Sequence, residues 1–401
     1  MKKVIGLLMT VVFIMCVMNC NVNMVQGQQP ELVEVNTDNV GDLSLQSKSA
    51  ILMEMSTGKV LYEHNPDEVL SPASITKIMT LILIFDAIEE GKIDYEDIVT
   101  TSEYAKSMGG SQVFLETGEQ QTVETLIKCI IIASGNDASV CMAEYVAGSE
   151  EAFVAKMNER AAGLGMTNTV FKDCCGLWDS MDHHTTARDV AIMSRELVTK
   201  YPQILNYSKI WMENITHVTA QGSKEFTLAN TNKLLKQYEW TTGLKTGSTS
   251  LAKYCLSATA KKDDIELVAV IMGAPDYKIR FSEAAALLNY GFSIVDMYKD
   301  DNKDIDGVVN IENGVKDKLK IKTENEFTYI CGKDENSKDI TKQISMSNGL
   351  KAPVKRGDVV GEIIYYIGEK EIGRINICAN ENIREAGYVD YLKKMWYKYK
   401  V

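Results

Sequence analysis

The chain has 401 residues, 45% hydrophobic and 24% charged, a balance that suits a globular protein of two or three domains and excludes a disordered or fibrous one. Its formal net charge of −12 makes nucleic acid an unfavourable partner. Nine cysteines and four histidines include no Cys-x-x-Cys pair and no two histidines four apart, so the common zinc and dithiol sites are excluded and neither a metal nor another cofactor is expected.

Lys2 and Lys3 precede an apolar run from Val4 to Val17, and small residues follow near Gly27. This is the plan of a secretory signal peptide over residues 1–27, since a membrane span needs ~20 apolar residues. Removing its two lysines takes the net charge from −12 to −14. Cys16 and Cys20 lie in this leader, and the other seven cysteines are expected as free thiols in apolar sites. Residues 28–45 read as a flexible polar segment. Ala50 to Met55 and Val60 to Glu63 then flank Ser56-Thr57-Gly58-Lys59, a hairpin with its turn at the glycine. Next comes Ser71-Pro72-Ala73-Ser74-Ile75-Thr76-Lys77, with Pro72 stiffening the start of a helix that runs from Ile75 to Glu90. Three residues are nearly one helical turn, so Ser74 and Lys77 share a face. Ser56 and Lys59 have the same spacing, so spacing alone decides nothing.

Val123, Leu126, Ile127, Ile130 and Ile131 fall at helical period, and that helix stops at Ala133-Ser134-Gly135-Asn136 before another from Asp137 to Ala147. A polar turn between two buried helices is costly unless its groups find partners. Ser149 caps a helix reaching Ala162, and a further helix runs from Thr186 to Thr199. Strands are expected at Thr216 to Thr219 and Glu225 to Leu228, through Gly243-Leu244-Lys245-Thr246-Gly247-Ser248-Thr249 and Tyr254 to Ala260, and at Ile265 to Gly273, followed by a helix from Arg280 to Tyr298. Strands at both ends with helices between imply one sheet closed by its first and last segments. Residues 46–297 therefore read as one domain, to which the motifs below assign the catalysis, and 298–306, rich in Lys, Asp and Asn, as a linker. Residues 307–380 read as a small β-rich domain, with runs at Val308 to Ile311, Leu319 to Ile321, Glu362 to Ile367 and Ile372 to Ile377. Over 381–401, Tyr388, Tyr391, Leu392, Met395, Trp396 and Tyr399 alternate with Lys393, Lys394, Lys398 and Lys400, as an amphipathic helix anchored at a membrane surface requires.

Three elements carry chemistry: Ser74-x-x-Lys77, Ser134-Gly135-Asn136 and Lys245-Thr246-Gly247, in this order and separated by 60 and 111 residues. A hydroxyl attacks only when a base takes its proton, and a lysine held neutral is such a base. The trio resembles that of penicillin-binding proteins and class A β-lactamases. Pro72 to Thr80, Ala133 to Asp137, His183 to Asp189, Gly243 to Gly247 and Arg280-Phe281 extend the resemblance from Ala50 to the C-terminus. There the chain is similar to the low-molecular-weight penicillin-binding proteins of peptidase family S11, serine-type D-alanyl-D-alanine carboxypeptidases. Lys253 departs from the pattern, since Ala252-Lys253-Tyr254 has glycine at its centre in that family.

The resemblance implies an α+β fold, an antiparallel sheet with helices on both faces followed by a small all-β domain. It also implies a reaction. Ser74 would attack the penultimate D-alanine carbonyl, Lys77 would take its proton under the influence of the Lys245 cation, and Ser134 would relay the proton to the leaving amine. Asn136 would hold the substrate backbone, and Lys245, Thr246 and Arg280 would receive the terminal carboxylate. Gly247 would let the peptide lie against the strand edge, while the N–H groups of Ser74 and Ser248 would form the oxyanion hole. The expected partners are peptidoglycan stem peptides ending in D-Ala-D-Ala, β-lactams as covalent inhibitors, and the outer face of the cytoplasmic membrane or cell wall. Two other readings share the motifs: a secreted β-lactamase and a catalytically silent wall-binding protein. A class A lactamase needs a glutamate in Glu-x-x-Leu-Asn, where Pro202-Gln203-Ile204-Leu205-Asn206 offers proline.

Overall fold

The computed structural model describes residues 43–219, 222–305, 307–332 and 335–399. The leader expected over 1–27 lies outside the described residues, as does 28–42 of the segment expected to follow it.

In strand β1 (Ser49–Glu54) Ile51 and Met53 belong to one apolar core, and Ala50 and Leu52 to another. Successive side chains of a strand face opposite ways, so a strand buried on both faces must be internal to its sheet. After β1 come β2 (Val60–His64), then helices α1 (Lys77–Glu89), α2 (Val123–Ile131), α3 (Asn136–Ala147), α4 (Glu150–Gly163) and α5 (Ala187–Lys200). The chain returns to the sheet through β3 (Thr241–Thr249), β4 (Lys253–Lys262) and β5 (Ile265–Ala274), and α6 (Ile279–Ile294) follows. The sheet order is β2-β1-β5-β4-β3, all antiparallel, with Leu52 opposite Ala269. The first strand thus pairs with the last, as the sequence pattern implies.

Helices α1 to α5 supply the larger core, on one face of the sheet. On the other face, α6 packs Phe281, Ala284 and Leu288 against Leu52, Leu267 and Ile271. Gly291 permits that approach, because a Cβ there would lie 2.6 Å from Leu267 Cδ1. At the β1–β2 turn the buried Glu54 carboxylate accepts from the N–H and hydroxyl groups of both Ser56 and Thr57. Lys59 points away and donates to the carbonyls of Ile330 and Cys331, so it has no part in a nucleophilic pair.

Two expectations change. Helix α6 ends at Ile294 rather than Tyr298, and Met297–Asp300 is a strand paired with Phe327–Ile330. The stretch read as a linker over 298–306 therefore begins in a strand. Its polar residues also have fixed partners: Lys342 Nζ lies 2.9 Å from Asp300 and 3.0 Å from Asp304, and Asn302 Nδ2 donates to Tyr365 Oη at 2.6 Å. Composition that reads as a linker in sequence is here part of an ion-pair cluster of the β domain. That domain has a five-stranded sheet in the order Gly307–Asn310, Lys318–Thr323, Lys370–Ala379, Val359–Ile367, Ile340–Met346, and Phe327 stacks on Tyr365 at 3.7 Å. A terminal helix, α7 (Tyr388–Tyr399), follows, and no described helix is long and apolar enough to cross a membrane. All seven cysteines from Cys129 onward are buried and free.

Candidate active site

Ser74 sits on a single 3-10 turn, Ala73–Thr76, that leads into α1, and Lys77 is the first residue of α1 itself. Ala73 has φ +48, a left-handed conformation unusual for a residue with a Cβ. Two devices hold the turn. Thr76 Oγ1 donates to Ala73 O at 2.8 Å, and its oxygen lies 2.8 Å from His183 Nε2. Since the Lys172 N–H donates to His183 Nδ1 at 3.2 Å, the ring proton must be on Nε2. Burial pushes the His183 pKa down to about 4, so the imidazole is neutral.

Lys77 Nζ, wholly buried, lies 3.1 Å from Ser74 Oγ, 2.6 Å from Asn136 Oδ1 and 2.7 Å from Cys175 O. The last two can only accept. A neutral amine, with two protons and one lone pair, gives its protons to Asn136 and Cys175 and turns the lone pair to Ser74, the one neighbour with a proton to give. Burial is the main force lowering the Lys77 pKa, while the carboxylates of Asp173 and Asp137 oppose it. Lys245 is itself pushed well below its usual value, first by burial and then by Lys77 and Arg280.

Ser134 occupies the turn between α2 and α3 with φ +62, and its hydroxyl accepts from Lys245 Nζ at 2.9 Å. Lys245 also reaches Thr246 O at 3.1 Å, and Thr246 Oγ1 lies 2.6 Å from Thr231 Oγ1. Asn136 has both ends of its carboxamide engaged, Oδ1 by Lys77 and Nδ2 by Gly109 O at 2.7 Å, so its first task is to orient Lys77. Asp137 fixes the facing loop by accepting from the N–H groups of Val113 and Leu115. Arg280 is buried at the start of α6, where Nη1 donates to Gly247 O at 3.1 Å and Cys255 O at 3.2 Å. Ser248, exposed on β3, pairs with Tyr254 of β4.

Gly247 also meets a constraint from within the protein. A Cβ would lie 2.7 Å from Pro72 O and 3.1 Å from Ser74 N, so its absence lets β3 close on the turn that bears the nucleophile. Gly176, part of no motif, is tighter still: with φ +79, a Cβ there would fall 1.8 Å from Ala73 O. The loop around it is tied down by Asp173, whose carboxylate accepts from the N–H groups of Cys175, Gly176 and Trp178. Asp-x-x-Gly spacing reads as a turn, but nothing in sequence says that the Cys175 carbonyl holds the lysine. All nine residues picked out by sequence lie on the elements that meet here: the 3-10 turn, α1, the α2–α3 link, the start of α3, β3 and the start of α6.

Comparison with known proteins points to one family. Residues 35–276 match the family model described as D-alanyl-D-alanine carboxypeptidase, peptidase S11, and residues 292–385 match that of the penicillin-binding protein 5 C-terminal domain. The chain is 41% identical over 365 residues to the D-alanyl-D-alanine carboxypeptidase DacF of Bacillus subtilis, covering 90% of this chain and 92% of that one. It is 35% identical to DacC of Escherichia coli, with 86% of each covered. Among solved structures, penicillin binding protein 5 from Haemophilus influenzae superposes with a TM-score of 0.66 at 30% identity, over 86% of this chain and all of that one (100%).

Proposed function

The chain belongs to the peptidase S11 family of D-alanyl-D-alanine carboxypeptidases and is a serine-type hydrolase of that family; from this premise we propose how its own residues perform the reaction. The observation that carries the proposal is the seat of the buried Lys77 Nζ, 3.1 Å from Ser74 Oγ, with Asn136 Oδ1 and Cys175 O as its other neighbours, so that Ser74 alone can give it a proton. Ser74 Oγ attacks the carbonyl carbon of the penultimate D-alanine as its proton passes to Lys77 Nζ. The tetrahedral oxyanion is received by the N–H groups of Ser74 and Ser248, a contribution typically worth about 3 to 4 kcal/mol per donor. The C–N bond then breaks, and the departing amine of D-alanine takes a proton from Ser134, which regains one from Lys245 while Lys77 passes on to Lys245 the proton it took from Ser74, so that both lysines return to their starting states. Water hydrolyses the Ser74 ester with Lys77 again as base. Thr246 and Arg280 hold the substrate's free carboxylate, and its arrival restores a proton to Lys245 by placing negative charge beside it.

Family membership implies peptidoglycan peptides as substrates, β-lactams as ligands and an extracytoplasmic site of action. We propose further that α7 anchors the enzyme at the outer face of the cytoplasmic membrane. Tyr388, Met395 and Trp396 on it are more than half exposed, and Lys393 and Lys394 lie between them. Vesicles containing phosphatidylglycerol should sediment the full chain but not a chain ending at Glu385.

The catalytic proposal is tested with labelled penicillin and a D-Ala-D-Ala peptide on wild type and Ser74→Ala. A persistent covalent label and released D-alanine, both lost in the variant, are the expected result. Rapid penicillin hydrolysis without D-alanine would instead indicate a lactamase.

A further inference from the structure

The protein is strongly acidic, yet its reading as a carboxypeptidase requires it to capture an anion, the free carboxylate of the stem peptide. A body of net charge −12 repels such a substrate unless the field at the cleft has the opposite sign. At one end of the cleft, cations stand around a pair of tyrosines. Lys233 Nζ lies 5.2 Å from the centre of the Tyr277 ring, and Lys278 Nζ 5.9 Å from the same centre. Tyr277 meets Tyr254 edge-on at 6.4 Å, and Arg280 stands 5.5 Å over Tyr254, which pairs with Ser248 of β3. From the other side, Lys233 is two residues from Thr231, whose hydroxyl touches that of Thr246. Both lysines are exposed, and among the described residues neither has a carboxylate within 4 Å. Lys128, Lys200 and Lys342, by contrast, each have a carboxylate partner. The charged neighbours at this end are Lys253, one register position beyond Tyr254; Asp276, which accepts from the Lys278 N–H; and Asp179, which accepts from the Thr249 hydroxyl.

We infer that Lys233 and Lys278, held about Tyr277, form a cationic approach patch that draws the substrate's terminal carboxylate, or the equivalent carboxylate of a penicillin, to Thr246 and Arg280. This rests on the carboxypeptidase reading of the site. The lysines touch no reacting atom: they raise the local concentration of anionic substrate and so act on KM and not on kcat. Without them the field of the acidic body dominates, and the response to salt should change sign.

The test is the second-order rate of acylation by benzylpenicillin, and of D-alanine release from an N-acylated D-Ala-D-Ala peptide, between about 20 mM and about 500 mM salt. Wild type should slow by roughly 3- to 10-fold across that range with kcat unchanged. Lys233→Gln/Lys278→Gln should be slower at low salt and should speed up as salt is added. Equal salt responses in the two proteins, or a flat response in wild type, would overturn the patch. Acylation by penicillin reads the patch even if the peptide is not turned over, so failure of D-alanine release would count against the carboxypeptidase reading alone.

Discussion

His183 Nε2 lies 2.8 Å from Thr76 Oγ1, so a buried neutral imidazole is tied to the turn that carries the nucleophile. Its pKa falls from an ordinary 6.5 to about 4 because burial penalises the charged ring. A depressed folded-state pKa means that the unfolded chain binds more protons between these values. Stability is then fully present above pH 6.5 and is lost as pH falls towards 4, by about 3 kcal/mol at most. Urea unfolding at pH 7.5, 6, 5 and 4 should show this loss, and His183→Gln should flatten it while starting less stable at pH 7.5.

Gly176→Ala places a methyl group on the Ala73 carbonyl and forces an L-residue into φ +79. The left-handed conformation costs about 1 to 2 kcal/mol, and the collision adds about 1 to 3 kcal/mol or moves the turn. Labelling by fluorescent penicillin should fall at least 100-fold even in the fraction that remains folded by circular dichroism. Labelling within a few-fold of wild type would show that the turn does not depend on this contact.

Much of this site is legible in sequence, because acyl transfer to serine confines Ser74, Lys77, Ser134 and Lys245 to a few residue types at strict local spacings. The fold is legible for a similar reason: β1 and β5 alternate between two cores, and a slip by one residue would turn each strand inside out. What sequence hides is contact between distant backbones. Gly176 is one glycine among many until Ala73 is seen beneath it, and the Cys175 carbonyl carries no side-chain signature at all. Likewise nothing near Gly247 in sequence says that a Cβ there would crowd the Pro72 carbonyl. The stretch from Met297 to Asn302 misled because composition reports charge and not whether Lys342 stands opposite.

Asp173 is a positioning residue for Lys77, since it anchors the loop whose Cys175 carbonyl accepts from Nζ. Its negative charge also raises the Lys77 pKa. Asp173→Ala should slow penicillin acylation by about 30-fold, equivalent to ~2 kcal/mol of lost positioning. Asp173→Asn should recover part of that rate and shift the acid limb of the acylation profile to lower pH. A purely structural role would lower the melting temperature without moving that limb.

Lys253 adopts φ +57 at the turn between β3 and β4. Glycine there relieves about 1 to 2 kcal/mol of backbone strain, against about 0.5 to 1 kcal/mol of added chain entropy in the unfolded state. Lys253→Gly should therefore raise unfolding stability by up to ~1 kcal/mol in a denaturant titration, with penicillin acylation kept.

The pairing of Ser49–Glu54 with Leu267–Met272 has a temporal consequence. A ribosome or translocon delivers the chain from its N-terminus, so Ser74 and Lys77 emerge long before Lys245 and the strand that completes the sheet. Non-local pairing of this kind forms late in folding. The strand that seals the fold lies beyond the last residue of Lys245-Thr246-Gly247, and a half-delivered chain has neither its sheet nor its acylating cleft. Reactivity therefore switches on only once the whole catalytic region has been released, and a partly translocated molecule is inert towards both cell wall and antibiotic.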